Sequence, residues 1–392
     1  MYPRLSDMIN DLFGTSINLP IQSYGFFLAM AFLTSALILR SEFNRKEKLG
    51  LVKPTRKKIV IGKPASMVEL ILTFIISLFV GYKIIGIFVF YDQVIQDPQE
   101  FVFSQSGSWL GGVFFAIVIT FLQYYSKNKK KLAVPEVKEV IVPAKDQMWS
   151  VLFIAVIFGI IGAKIFHQLE NWDDFTADPI GSMLSFSGLT FYGGLIVAAF
   201  AVALYGEKHN IPWRHMADSV APPLIIAYGI GRIGCQIAGD GDWGIVNTMV
   251  QPEWLSFLPE WTWSYTYPHN ILNQGVLIPG CQGVHCHELA APVWPTPIYE
   301  TSLSFIIFGI LWLLRKRFTI PGVIFAIYLM FNGTERFIIE KIRVNNVFDF
   351  MGMQVTQAEI ISSLLFLTGL TMLIVFISQN KKQSKTISQS NN

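Results

Sequence analysis

Hydrophobic residues run through this chain in long blocks, without the strict alternation of half-buried strands or the one-faced stripes of surface helices. A helix crossing a hydrocarbon core of about 30 Å needs roughly 20 mainly apolar residues. Nine segments reach that length: 21–40, 68–91, 109–125, 149–167, 188–205, 217–237, 298–315, 320–340 and 359–378. The pattern predicts an all-α polytopic membrane protein, a single integral domain over 1–378 followed by a polar tail at 379–392. The sixth span is interrupted by Gly and Pro and has the least regular pattern. No small-residue cleavage site cleanly follows the first span, which therefore reads as a retained helix and not as a removed signal peptide.

Composition and charge placement sharpen this picture. Of 392 residues 52% are hydrophobic and 15% charged, with 32 Phe, against about 25% charged in soluble proteins; disorder and a collagen-like fibre are excluded. A net charge of +3 gives no basis for a nucleic-acid partner. Placement says more than the sum. Of the 30 Lys and Arg, 23 follow odd-numbered spans, and three (Arg4, Lys341, Arg343) fall on the other side. By the positive-inside rule the N-terminus is outside and the C-terminal tail cytoplasmic. The segment 238–297 then becomes an external cap between spans six and seven. It has no Lys or Arg but holds Trp243, Trp254, Trp261, Trp263 and Trp294, rings expected to settle at the lipid interface.

The chain also resembles itself at an offset of 81 residues. Gly81-Tyr-Lys83 answers Gly162-Ala-Lys164, Ser104-Gln-Ser-Gly107 answers Ser185-Phe-Ser-Gly188, and Gly111-Gly112 answers Gly193-Gly194 with one residue inserted. Residues 68–147 thus read as a duplicated helical hairpin with its cytoplasmic linker. The Gly pairs are expected to let helices approach closely, and Lys83 and Lys164 to snorkel outward.

Charged groups at bilayer depth mark function by default. The densest cluster leaves the sixth span: Gly231-Arg232, Cys235, Asp240, Asp242, Trp243-Gly244. Pro295-Thr-Pro-Ile-Tyr299-Glu300 opens the seventh, and Asn332-Gly-Thr-Glu335-Arg336-Phe-Ile-Ile-Glu340-Lys341-Ile-Arg343 closes the eighth. With Ser23-Tyr24-Gly25 at the start of the first span, all converge on one membrane face. Arginine offers a planar fork suited to a phosphodiester, although an Arg232–Asp pair or an Arg336–Glu340 pair could be purely structural. Cys281 and Cys286, beside His285 and His287, could ligate zinc; an external compartment favours a disulfide between them. Internal repeats and intramembrane charge also mark secondary transporters, and a non-catalytic lipid-binding scaffold would tolerate the same residues.

In order along the chain, Ser23-Tyr24-Gly25, Thr190-Phe-Tyr-Gly-Gly-Leu195, Asp218, Gly231-Arg232 to Trp243-Gly244, Pro295 to Glu300 and Arg336 to Glu340 resemble the motifs of the prolipoprotein diacylglyceryl transferase family. The resemblance covers spans one and four through nine. It implies transfer of a diacylglyceryl group from phosphatidylglycerol to the lipobox cysteine of prolipoprotein signal peptides, at the outer side of the bacterial inner membrane, without metal or organic cofactor. It assigns Arg232 to the lipid phosphate and Arg336 to the departing phosphate, with Asp242, Glu300 and Glu340 orienting them. Tyr24, Tyr299, Gly193 and Gly194 would line the head-group site. The family's usual His-Gly-Gly-Leu is here Tyr192-Gly193-Gly194-Leu195, which leaves the general base open: a phenol with a reference pKa of about 10 is a poor base at neutral pH.

Overall fold

Helices dominate the computed structural model, which describes residues 1–96, 101–102, 104–185, 190–345, 347–350 and 353–390. In chain order they are α1 (Leu5–Phe13), α2 (Ser23–Lys48), α3 (Met67–Val89), α4 (Trp109–Lys129), α5 (Met148–Glu170), α6 (Phe191–Lys208), α7 (Trp213–Ala238), α8 (Thr296–Leu314), α9 (Val323–Glu340) and α10 (Gln357–Ser390). Eight are long and apolar enough to cross a membrane: α2 to α8, with α5 extended by a lead-in turn from Ala144, and α10 over Gln357–Lys382. Of the nine spans expected, α9 is the one that does not reach that standard by length and composition. Its eighteen residues end in Glu335, Arg336 and Glu340, more charge than a stretch of that length carries through lipid unaided. It lies instead against α10, α8 and α7.

The all-α reading is corrected. Three two-stranded antiparallel ribbons join the helices: β1 (Thr55–Ile61) with β2 (Glu136–Val142), β3 (Val276–Leu277) with β4 (His287–Glu288), and β5 (Val347–Phe350) with β6 (Met353–Thr356). Strands β1 and β2 are almost wholly exposed and rich in Lys and Glu, so no buried apolar face announced them. Their register, Thr55 opposite Val142 through Ile61 opposite Glu136, pinches together the two chain ends that lead into and out of α3–α4.

The α7 helix runs unbroken through Pro222 and Pro223, although each proline removes a helix hydrogen bond. Packing overrides the local cost: α7 is the most buried of the eight apolar helices, lying along α2 and α8. Ser35 Oγ donates to the Pro223 carbonyl at 3.0 Å, fastening α2 beside the irregular turn. At the end remote from Arg232, Asp218 of α7 accepts from the amides of Gly322 (2.8 Å) and Phe325 (3.0 Å), capping α9 from a neighbouring helix. There too Glu42 of α2 pairs with Arg45 (2.8 Å) and Arg315 (2.6 Å), tying α2 to the end of α8. Two apolar clusters fill this half of the bundle. One gathers Leu39, Phe43, Met148, Val202 and Met216; the other Ile225, Leu311, Ile324 and Leu329.

The self-similar segments form two hairpins, α3–α4 and α5–α6, with equivalent contacts. A Cβ on Gly81 would stand 2.8 Å from the Gly111 carbonyl oxygen, and one on Gly162 2.5 Å from that of Gly193. Gly112 meets the Leu78 carbonyl and Gly194 the Gly159 carbonyl in the same way, at 2.9 and 2.7 Å. The Ser108 amide donates to Tyr82 O (2.9 Å), the Thr190 amide to Ala163 O (3.1 Å). Lys83 and Lys164 do reach outward, but end on backbone carbonyls: Phe101, Ser104 and Ser106 for the first, Ser185 for the second. Phe186, Ser187 and Gly188 of the repeat lie outside the described residues. The hairpins differ in surroundings. The α5–α6 pair packs on α2 and α7, whereas among the described residues neither α3 nor α4 packs lengthwise on another long helix.

Two outcomes follow from this packing. Gly162→Leu forces a side chain into the Gly193 and Val197 contact and should cost about 1–3 kcal/mol, read as a lower thermal midpoint in detergent. Excising 62–135 and joining Ile61 to Glu136 through an Asn-Gly turn, which suits a two-residue hairpin loop, should leave the thermal midpoint of the remaining chain nearly unchanged; a collapse of that midpoint would show that α3–α4 carries the fold.

Candidate active site

The cap end of the bundle is organised around one carboxylate. Glu300, in the second turn of α8, is fully buried and receives partners from three other stretches of chain. Arg232 of α7 sets Nε 3.1 Å from Oε2. Arg343, just beyond α9, places Nη1 3.1 Å from Oε1, and Tyr228 donates its hydroxyl to the same oxygen at 2.9 Å. Arg336 of α9 comes within 3.6 Å. A carboxylate buried at this depth is stable only when so surrounded.

Asp242 forms the second bridge. It pairs with Arg232 Nη1 and, at 2.5 Å, with Arg343 Nη2. Its position follows from the chain after α7: Gly239 ends the helix in the left-handed region at φ 64°, where glycine has no Cβ penalty. The strand-like run Gly244–Val246 is then clamped between two others. Gly244 N donates to Trp294 O (2.8 Å) and Ile245 N to Ile342 O (2.9 Å), and Gly244 bridges Arg343. These backbone bonds bring Asp242 and Arg343 together. Thr296 Oγ1 adds a bond to the Asp242 carbonyl at 2.5 Å. Arg232 also lies over the Tyr228 ring, 5.0 Å from its centre, one helical turn back.

Arg336 is the least committed arginine. It meets Glu340 one turn on, at 2.9 Å, and Glu340 is itself held by Asn345 Nδ2 at 2.6 Å. Arg232, Arg336 and Arg343 line a cavity of about 240 Å³ with Tyr192, Tyr228, Tyr328, Asn332 and Glu335. Leu195 and Leu224 belong both to this cavity and to a second of about 240 Å³, apolar and lined by Ala155, Ala198, Ala199, Ala203 and Ala217 among others. A guanidinium-rich chamber and an alanine-lined groove between α5–α6 and α7 therefore share Leu195 and Leu224 as a common wall.

Tyr24 and Asp240 lie elsewhere, lining a cavity of about 500 Å³ with Arg4, Gln22 and His285. Burial pushes the Asp240 carboxyl up from its ordinary value. Burial acts the same way on Asp242, but the guanidinium of Arg232, with that of Arg343, outweighs it and holds the group below the usual range. Cys235, Asp240 and Asp242 bring a thiol and two carboxylates within 4.8 Å. With Asp242 already paired to two arginines, that corner repels a cation. Cys281 and Cys286 are joined as a disulfide with Cα atoms 5.6 Å apart, which leaves no thiol there for zinc.

Of the residues expected from sequence, Arg232, Asp242, Glu300, Arg336 and Glu340 come together in one network, with Tyr192 on its cavity wall. Gly193 and Gly194, expected beside substrate, are instead buried in the α5–α6 contact against Phe166, Gly162 and Gly159. Tyr299 turns away, its hydroxyl bonded to Thr262 O at 2.9 Å and its ring near Trp294. The tryptophans divide. Trp243 packs on Tyr267 and Trp263 on Trp294 inside the cap, while Trp254 (74% exposed) and Trp261 (47%) face outward. Sequence reasoning missed Tyr228, and gave no role to Arg343 or Glu335 although both stand in the cluster that closes the eighth span. The first sits four residues before Arg232 and the third precedes Arg336, spacings that were readable; Arg343 needs the chain reversal after α9.

Comparison with known proteins meets this geometry. A family model described as prolipoprotein diacylglyceryl transferase matches residues 135–375, a range that takes in α5 to α9 and the whole arginine network. The phosphatidylglycerol–prolipoprotein diacylglyceryl transferase of Clostridium novyi (strain NT) is 27% identical over 245 residues, 62% of this chain and 84% of that protein. The enzyme of the same name from Corynebacterium efficiens is 27% identical over 277 residues, 69% and 76% of the two chains. That of Leptospira interrogans is 27% identical over 226 residues, 51% and 63%. With the family's pattern covering more than half its length, including every charged residue of the network around Glu300, this chain belongs to the prolipoprotein diacylglyceryl transferase family.

Proposed function

We propose that this protein transfers the diacylglyceryl group of phosphatidylglycerol to the thiol of a lipobox cysteine in a prolipoprotein signal peptide, releasing glycerol phosphate. One observation supports this best: the three-arginine chamber and the apolar groove share a wall at Leu195 and Leu224, as a phospholipid with a charged head and two acyl chains requires. The charge distribution along the chain supports a reading in which this end of the bundle lies at the outer face of a bacterial cytoplasmic membrane, with the N-terminus outside and the C-terminus inside. The α9 helix would then be a ninth, protein-packed crossing.

In this reading the cysteine sulfur attacks the glyceryl carbon that bears the phosphoester oxygen. A C–S bond forms as the C–O bond breaks, and the electron pair leaves with glycerol phosphate. Negative charge grows on the leaving group, and fixed guanidinium groups in a dry chamber stabilise that growth. Arg232 is fixed by Asp242 and Glu300 through Nη1 and Nε and holds the phosphate; Arg336, with the freest head, follows it out. Tyr192, within hydrogen-bonding reach of Arg336, hydrogen-bonds the substrate, and Tyr24 lines the approach. The scheme calls on no metal or organic cofactor.

The purified full chain, given phosphatidylglycerol and a lipobox peptide with a single Cys, should yield a thioether-linked diacylglyceryl adduct by mass spectrometry, and none with Ser in place of Cys. Arg232→Ala should abolish the adduct in folded protein. Arg232→Lys should recover only part of it, because an ammonium lacks the fork. Unchanged turnover in Arg232→Ala would remove the phosphate assignment.

Filling the groove should separate head from tail. Ala199→Phe is expected to raise KM for a long-chain phosphatidylglycerol roughly tenfold, the scale of one or two misplaced methylenes, while leaving a six-carbon analogue nearly unaffected. Equal effects on both lipids would place the acyl chains elsewhere.

A further inference from the structure

One carboxylate in the arginine chamber belongs to no pair. Asp242, Glu300 and Glu340 take up the ion pairs of Arg232, Arg336 and Arg343, three anions for three cations. Glu335 is a fourth carboxylate on the wall of the same cavity. It is 3% exposed, and neither of its oxygens accepts a hydrogen bond from any described residue. Leaving a buried carboxylate without donors is among the costlier things a fold can do, and such groups gather where chemistry needs them. Around it stand Arg336 and Tyr328 on its own helix, Tyr192 of α6, Tyr228 and Arg232 of α7, and Arg343 beyond α9; α10 contributes the apolar Leu365. The other neutral titratable groups on this wall, Tyr192, Tyr228 and Tyr328, are phenols, which are weak proton acceptors.

We infer that Glu335 is the proton acceptor of the transfer reaction, a catalytic residue that takes the S–H proton of the incoming cysteine. The inference rests on the diacylglyceryl-transfer reading of the site. The proton moves from sulfur to a Glu335 oxygen and the thiolate forms the C–S bond. The phosphoester C–O bond breaks with its electrons going to oxygen, and the Glu335 proton passes to the departing phosphate, which restores the carboxylate. The arginines are held by their own carboxylates throughout, so Glu335 can gain and lose a proton without dismantling the phosphate site. Asp240, the other carboxylate outside the three ion pairs, faces the Tyr24 cavity and not this one.

The test compares two nucleophiles on the full-length protein. A lipobox peptide with selenocysteine in place of cysteine presents a selenol, already ionised at neutral pH, and so needs no acceptor. Glu335→Gln should lower kcat with the cysteine peptide by about 10²- to 10⁴-fold, the usual worth of a positioned base. With the selenocysteine peptide it should turn over within about tenfold of the unaltered protein, since the proton is already gone. Its thermal midpoint should be no lower than the parent's, because a neutral amide replaces an unpaired buried charge, and phosphatidylglycerol binding should persist. Arg232→Ala, by contrast, should fail with both peptides. Equal loss of Glu335→Gln with both nucleophiles, or no loss with either, overturns the assignment; preservation by Glu335→Gln with loss in Asp240→Asn moves the base to Asp240. If the unaltered protein forms no adduct with either peptide, the transfer reading itself fails and this role falls with it.

Discussion

Everything at the cap end of this molecule depends on keeping one carboxylate satisfied away from water. Glu300 is fully buried, and its charge can persist there only because Arg232, Arg343 and Tyr228 converge on its two oxygens. Those partners come from different parts of the chain, so the need to neutralise Glu300 fixes the relative positions of α7, α8 and the segment after α9. The dependence runs both ways. Three guanidinium groups gathered in one chamber would repel each other without Glu300, Asp242 and Glu340 between them. What results is a set of donors already in place before any phosphate arrives, which is the condition under which such donors lower a barrier instead of merely binding.

The rest of the bundle supplies the rigidity this network needs. The α7 helix is gripped along its length by α2 and α8, and its far end is locked by Asp218 across the N-terminus of α9. The two helices that carry Arg232 and Arg336 are therefore tied at one end by a backbone cap and at the other by Glu300. The α5–α6 hairpin is fastened differently: its buried contacts are with the cluster around Phe43, Met148 and Met216, at the end remote from the arginines. The apolar groove between it and α7 runs from Leu195 and Leu224 toward that same remote end, where Val202, Trp213 and Met216 line it.

How much of this could be read from residue order varies with the range of the interaction. Spans were legible because hydrophobic length is a local property, and the α9 exception was legible in hindsight from three charges in its last turns. Arg232, Glu300, Arg336 and Glu340 stood out because charge in an apolar helix is rare. Arg343 did not, since only the pairing of Ile245 with Ile342, a contact across almost a hundred residues, turns it back toward Asp242. Gly193 and Gly194 show the opposite limit: a motif names residues that matter without saying whether they touch substrate or another helix, and here they touch Gly159 and Gly162. Tyr299 likewise sits in a motif but secures the cap through Thr262. The exposed ribbon β1–β2 was hidden because its charged, solvent-facing residues resemble those of any solvated linker.

That ribbon explains how a second hairpin can sit in the chain without disturbing the first. The α3–α4 pair repeats the glycine contacts and loop bonds of α5–α6 at offsets of 81 and 82 residues, so each hairpin closes on itself through its own small residues and backbone. A unit that needs no outside helix to bury its contact face can be added wherever the two ends of the chain are brought together, and the ladder from Thr55–Val142 to Ile61–Glu136 does that. Two helices also return the chain to the side it left, so every later segment keeps its orientation. The family match begins at residue 135, after the α3–α4 hairpin has ended, and the arginine network is assembled entirely from α7, α8, α9 and the segments that follow α7 and α9. The chamber therefore takes no lining residue from α3–α4, and Ile95, just past α3, lines the separate cavity that holds Tyr24 and Asp240.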